Sequence, residues 1–127
     1  MAELKKIATE NAPAAIGPYS QAIACGDMLF TSGQIAIDPV VGDIVAKDIV
    51  GQTEQVMKNL QAVLAAAGTS MENAVKTTCF LAEIADFAAF NEVYGRYFTS
   101  KPARSCVAAK ALPKGALVEV EVIAKLG

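Results

Sequence analysis

Between residues 117 and 123 the chain reads Leu117-Val118-Glu119-Val120-Glu121-Val122-Ile123, with valine and glutamate taking turns. Successive side chains of a strand point to opposite faces, so Val118, Val120 and Val122 form one apolar row and Leu117, Glu119, Glu121 and Ile123 share the other. Such a segment belongs to a sheet with one face in a core and a second face of different character. Helices are the expected cover for the valine row. Residues 51–67 place Val56, Leu60, Val63, Leu64 and Ala67 at helical spacing, and Gly68 follows as a C-terminal stop. A second helix is expected from about Asp86, a favourable N-cap, through Phe87, Phe90, Val93, Tyr94 and Tyr97.

The remaining elements read as strands. Residues 74–82 are rich in Val, Thr and Phe and too short for another helix, which predicts a buried strand. Residues 20–25 and 28–31 flank Gly26-Asp27, a two-residue hairpin signal. A short N-terminal strand is expected at 4–8, and the last two strands at 107–112 and 117–126, joined across Pro113-Lys114-Gly115. Residues 11–17 read as a loop and 38–42 as a turn before the first helix. The order strands, helix, strand, helix, strands predicts an α+β fold. It is a mixed sheet of about six strands with two helices packed on one face, in a single domain spanning residues 1–127.

Composition narrows the function. Apolar residues make up 54% of the chain, a surplus that hints at a buried oligomer interface even though 24 of them are alanine. A formal charge of −2 with scattered lysines leaves no basic stripe, so nucleic acid is a poor partner. No secretory h-region and no membrane-spanning run is present, and the cytoplasm is the expected compartment. Cys25, Cys79 and Cys106 are widely spaced and odd in number, which fits reduced thiols. With no histidine and no Cys-x-x-Cys, neither a metal nor a metal-dependent mechanism is expected.

Chemistry must then run on carboxylates, hydroxyls, a thiol and two arginines. If strands 107–112 and 117–126 pair antiparallel about residue 113, residue 106 falls opposite about 120. Arg104 and Cys106 would then lie near Glu119 and Glu121. A guanidinium matches a carboxylate in two parallel hydrogen bonds, and a glutamate held beside the bound acid takes a proton from water. Together they suit hydrolytic attack on an electrophilic carbon next to a carboxylate. The plainer alternatives are an ion pair between Arg104 and a glutamate, a solvated glutamate face, and Cys106 as a small buried hydrophobe. Tyr19, Ser32 and Gly33 stand in turn-like strings at the two ends of the first hairpin, and Asn91 shares a helical stripe with Phe87, Tyr94 and Phe98.

Several strings, taken together and in order, are similar to one family. They are Ala12-Pro13-Ala14-Ala15-Ile16-Gly17-Pro18-Tyr19-Ser20-Gln21-Ala22, Thr31-Ser32-Gly33-Gln34-Ile35, Val75-Lys76-Thr77-Thr78, Pro102-Ala103-Arg104-Ser105-Cys106-Val107 and Leu112-Pro113-Lys114-Gly115-Ala116-Leu117-Val118-Glu119-Val120-Glu121. Nearly end to end, the chain resembles Rid proteins, also called YjgF-type or L-PSP-type, and within them the RidA subgroup. The resemblance implies a chorismate-mutase-like fold and a homotrimer with a central barrel and three clefts between subunits. It implies hydrolysis of 2-imino acids, such as 2-iminobutanoate and 2-iminopropanoate or their enamine tautomers, to 2-oxo acids and ammonia without a cofactor. Residue by residue, Arg104 matches the carboxylate anchor and Glu119 the acid that positions or activates water. Tyr19, Ser32, Gly33, Asn91 and Cys106 match substrate-binding cleft positions, and Glu121 matches no such role. Lys101 stands where an aromatic residue often does. Other activities attached to relatives, RNA cleavage that inhibits translation or a non-catalytic regulatory module for small acids, are the alternative expectations, with a thiol-based role for Cys106 behind them.

Overall fold

The structure, a computed structural model, describes residues 3–127. Eight strands and two α-helices follow the chain as β1 (Leu4–Ile7), β2 (Ala22–Cys25), β3 (Met28–Thr31), β4 (Ile37–Asp38), β5 (Asp43–Ile44), α1 (Ile49–Ala66), β6 (Ala74–Leu81), α2 (Phe87–Tyr97), β7 (Ala103–Ala108) and β8 (Val118–Lys125). Six of them form one mixed sheet in the order β1-β2-β3-β8-β6-β7, and β4 and β5 form a separate small hairpin. The predicted α+β architecture of about six strands and two helices is the one observed.

Local chemistry explains where the elements begin and end. The β2–β3 hairpin turns on Gly26 at φ 62°, with Cys25 facing Met28 across the two-residue loop. Helix α1 starts at Ile49, two residues before the predicted start, because Asp48 caps it, its carboxylate accepting the Gly51 N–H at 2.9 Å. It stops before Gly68, which takes φ 84°. Asp86 does not cap α2 through its side chain, because a 3-10 turn over Ile84–Asp86 already leads the backbone into the helix. The turn expected at 38–42 is the tip of the β4–β5 hairpin, held by the Asp38 carboxylate accepting the Val40 N–H at 2.9 Å.

The valine row lies in the core as expected. Val118, Val120, Val122 and Ala124 on β8, Thr77, Cys79 and Leu81 on β6, and Leu29 on β3 are buried. All of these but Thr77 join one hydrophobic cluster with Val56, Met57, Leu60, Val63 and Leu64 of α1 and Phe90, Val93 and Tyr94 of α2. Each fully buried aliphatic or aromatic side chain there contributes about 1.5–3 kcal/mol of transfer free energy. Both helices therefore cover one face of the sheet. The other face presents Glu119, Glu121, Ile123, Phe80, Phe30 and Val107, and among the described residues no helix covers it.

One pairing differs from expectation. Strand β7 begins at Ala103 rather than 107, and it does not pair with β8. It lies parallel to β6, with Thr77 opposite Arg104 and Cys79 opposite Cys106, while β8 runs antiparallel between β6 and β3. Strands joined through a helix, as β6 and β7 are through α2, pair in parallel. Residues 109–117 are then long enough to carry the chain past β6, turning at Lys114 (φ 57°) and Gly115 (φ 66°). The central position suits β8, which pairs with β6 along Val118–Ala124 and with β3 along Ile123–Lys125.

Candidate functional site

Glu119 sits beside an irregularity in the sheet. The β3–β8 ladder runs to Phe30 opposite Ile123 and resumes at Gln34 opposite Val120. Four steps on one side (Phe30 to Gln34) match three on the other (Ile123 to Val120), so one extra residue bulges out around Ser32-Gly33. The bulge is pinned on both sides. Ser32 Oγ donates to the Ser20 carbonyl at 2.6 Å, Ser32 N–H donates to the Gln21 carbonyl at 2.9 Å, and Val122 N–H donates to Thr31 Oγ1 at 2.9 Å.

This bulge brings Gly33 against the Glu119 carboxylate. A Cβ on Gly33 would fall 2.2 Å from Glu119 Oε2 and 2.9 Å from its Cδ. Gly33 is glycine for space. Glu119, Gly33, Ser32 and Tyr19 line one cleft of about 440 Å³, together with Gln34 and Lys114. Tyr19 is on the loop before β2 and is 52% exposed, so its phenol stands at the mouth rather than in the core. Burial raises the Glu119 carboxyl above its ordinary value, and the charge of Glu121 pushes the same way. Gly33→Ala is expected to leave the fold standing, because the clashing atoms end a flexible side chain, but to move the carboxylate by about an ångström. Displacements of that size cost roughly 10²-fold in rate. Turnover measured beside the thermal midpoint checks this: a fall in rate with an unchanged midpoint is expected.

Arg104 lies elsewhere. Direct partners across a ladder share a face, so Arg104 points with Thr77, and Cys106 with Cys79, toward the helices. Glu119 pairs with Phe80 and Glu121 with Thr78 on the uncovered face. The expectation that Arg104 and Cys106 approach Glu119 and Glu121 within one chain fails, because β6 stands between β7 and β8 and the two groups face opposite sides.

Helix α2 holds the guanidinium. Arg104 Nη1 donates to Asn91 Oδ1 at 2.6 Å, and the guanidinium carbon lies 4.9 Å from the centre of the Tyr94 ring and 5.4 Å from that of Phe87. Tyr94 is itself fixed by a 2.6 Å hydrogen bond to Thr77. Arg104 forms no ion pair among the described residues; the two present are Arg96–Glu54 and Lys114–Asp43. A neutral amide and two aromatic faces orient the cation and leave its charge and most of its donors for something else. The ion-pair alternative for Arg104 is therefore not what the structure contains. Cys106 is half-buried beside it, and burial raises its thiol above the ordinary value while Arg104 opposes the change. That direction disfavours a thiolate nucleophile.

Of the sequence candidates, Tyr19, Ser32, Gly33 and Glu119 come together in one cleft, while Asn91, Arg104 and Cys106 gather on the opposite face. Two residues of consequence went unassigned in the sequence. Gln21 is buried and clamps the preceding loop, its amide donating to the Thr9 and Pro13 carbonyls at 3.0 and 2.7 Å and accepting the Thr9 N–H at 2.6 Å. A polar amide entering a strand of small apolar residues was its only signal. Lys114 enters the Glu119 cleft because its left-handed backbone turns the 113–115 connection toward it. Among the described residues no group of three or more His, Cys, Asp or Glu side chains gathers to hold a metal ion. None of the helices described is long and apolar enough to cross a membrane.

The family described as endoribonuclease L-PSP matches residues 9–126. The chain belongs to this Rid/YjgF/L-PSP family. A RutC family protein of Pyrococcus horikoshii is 55% identical over 119 residues, covering 93% of this chain and 94% of that one. The Rid family protein YyfA of Yersinia pestis superposes with a TM-score of 0.95 at 52% identity, covering 98% of this chain and all of that one. The E. coli TdcF structure with bound serine superposes with a TM-score of 0.92 at 42% identity over 97% of this chain and 98% of that one. For a Rid-family chain the split between Arg104 and Glu119 becomes the central structural fact.

Proposed function

We propose that this protein hydrolyses small 2-imino acids, 2-iminobutanoate and 2-iminopropanoate among them, to 2-oxo acids and ammonia. The observation that carries the reading is Arg104: a partly buried guanidinium, aimed by Asn91 and two aromatic rings and matched by no carboxylate among the described residues. Such a group is built to receive an anion. A substrate carboxylate on Arg104 fixes the neighbouring imine carbon, and Glu119, in its ionised form, accepts a proton from the water that attacks that carbon. The tetrahedral adduct, with the proton moved to nitrogen, releases ammonia and leaves the 2-oxo acid. Gly33 keeps the Glu119 carboxylate in place, and Ser32, Tyr19 and Cys106 border the substrate. Imine hydrolysis is already fast in water, so one oriented carboxylate and a held substrate suffice. The serine bound in the E. coli TdcF structure supports a small amino-acid-like ligand in this fold.

The site is shared between copies of the chain. Arg104 and Glu119 face opposite sides of one sheet, so a single copy does not bring them to one substrate. A homotrimer closed around the uncovered face, with Phe30 and Val107 45% and 50% exposed in the single chain, buries that face and sets Arg104 of one copy toward Glu119 of the next. The expected setting is the cytoplasm, where such imines arise from dehydratase action on threonine and serine.

RNA cleavage is the competing reading, given the family's description. A net charge of −2 and a Glu119 cleft with Lys114 as its one cation suit a small acid better than a phosphodiester chain. The test is to generate 2-iminobutanoate with a threonine dehydratase and follow its disappearance. Faster decay with the protein than in buffer is expected; equal decay, together with RNA cleavage lost in Glu119→Gln, would replace this reading by the other.

A further inference from the structure

Resting on the imine-hydrolase reading, we infer that Lys101 extends the Arg104 anchor into a two-cation pocket, so that 2-imino acids bearing a second carboxylate are the preferred substrate class. Lys101, Pro102 and Arg104 line a hollow of about 330 Å³ with Tyr94, Gly95 and Phe98. Lys101 reaches it from a fixed turn. Its backbone is left-handed at φ 56°, and its N–H donates to the Phe98 carbonyl at 3.2 Å where α2 ends. Pro102 follows and restricts the chain entering β7.

Neither cation is neutralised. Among the described residues no carboxylate lies within ion-pair distance of Lys101 or Arg104. Two like charges on one hollow repel each other, and a bound anion relieves that repulsion. One carboxylate on Arg104 satisfies the guanidinium but leaves the ammonium unmatched. A substrate with a second carboxylate two or three bonds farther along its side chain meets both. The hollow has room for that chain, since a Cβ placed on Gly95 in its wall meets nothing within 4 Å. The apolar rings of Tyr94 and Phe98 cover the intervening methylenes.

The experiment compares imines made in situ by amino-acid oxidases from alanine, a monocarboxylate, and from glutamate, a dicarboxylate. Wild type is expected to show the higher kcat/KM on the dicarboxylate. Lys101→Asn removes the charge while keeping a residue that tolerates left-handed backbone, and it is expected to lower the dicarboxylate-to-monocarboxylate ratio about fivefold, the scale of one exposed ion pair. Lys101→Arg is expected to restore the ratio, and Gly95→Leu, a good helix former that fills the hollow, to lower it. A ratio that ignores residue 101, or a wild type that favours the monocarboxylate, overturns this inference alone. If neither imine decays faster than in buffer, the imine-hydrolase reading falls and this one with it.

Discussion

Glu119→Gln is expected to lower kcat for imine hydrolysis by about 10²–10⁴-fold with little change in KM, the range for losing one positioned proton acceptor. The amide keeps the shape that fits against Gly33 but cannot take a proton from water. The same carboxylate sets the pH profile. In the proposed mechanism Glu119 acts ionised, and burial, aided by the Glu121 charge, holds its pKa above the ordinary carboxylate value. Activity therefore falls as pH drops through that raised pKa, earlier than for a solvated glutamate. Glu121→Gln removes the like charge, lowers the Glu119 pKa and moves the acidic limb of the rate profile to lower pH. A steady-state rate profile of wild type and the two variants reads all of this.

Arg104→Ala is expected to act on binding. Losing a charge-assisted, two-pronged carboxylate contact costs about 2–3 kcal/mol, a roughly 30- to 150-fold fall in kcat/KM carried mainly by KM. Arg104→Lys recovers only part of it, because an ammonium keeps the charge but cannot present the planar fork or stack between Tyr94 and Phe87. The Arg104→Ala fold should survive, since among the described residues the guanidinium makes one side-chain hydrogen bond, to half-buried Asn91, and no ion pair. Imine-decay kinetics beside a thermal melt separate the two effects.

What was legible in the sequence was local. The valine alternation of β8, the Gly26-Asp27 turn and the helix ending at Gly68 each follow from a period or a φ requirement within a few residues, and each stands in the structure. The partner of β7 was not legible. Residues 109–117 fit a hairpin return to β7 as well as a crossing past β6, and the choice is made by β8 finding partners on two edges. That one pairing decides which face Arg104 takes, so strand alternation alone gave it the wrong neighbour. Period reasoning also left the β4–β5 hairpin as a bare turn, because two-residue strands carry no measurable alternation. Within the site, strings read singly left Tyr19, Ser32 and Asn91 as turn or core residues. The roles proposed for them rest on family resemblance, and the geometry adds why Gly33 lacks a side chain and why Arg104 keeps a free charge among the described residues.

The split of Arg104 and Glu119 across two faces makes the shared cleft the claim most open to attack. Arg104→Ala and Glu119→Gln proteins, each lowered in kcat/KM, are to be unfolded together, refolded as a mixture and assayed for imine hydrolysis at substrate concentrations below the wild-type KM. If each site takes its arginine from one copy and its glutamate from the next, random cyclic trimers regain about a quarter of the wild-type sites. A mixture no more active than its two components refolded separately would contradict a site built between copies of this chain.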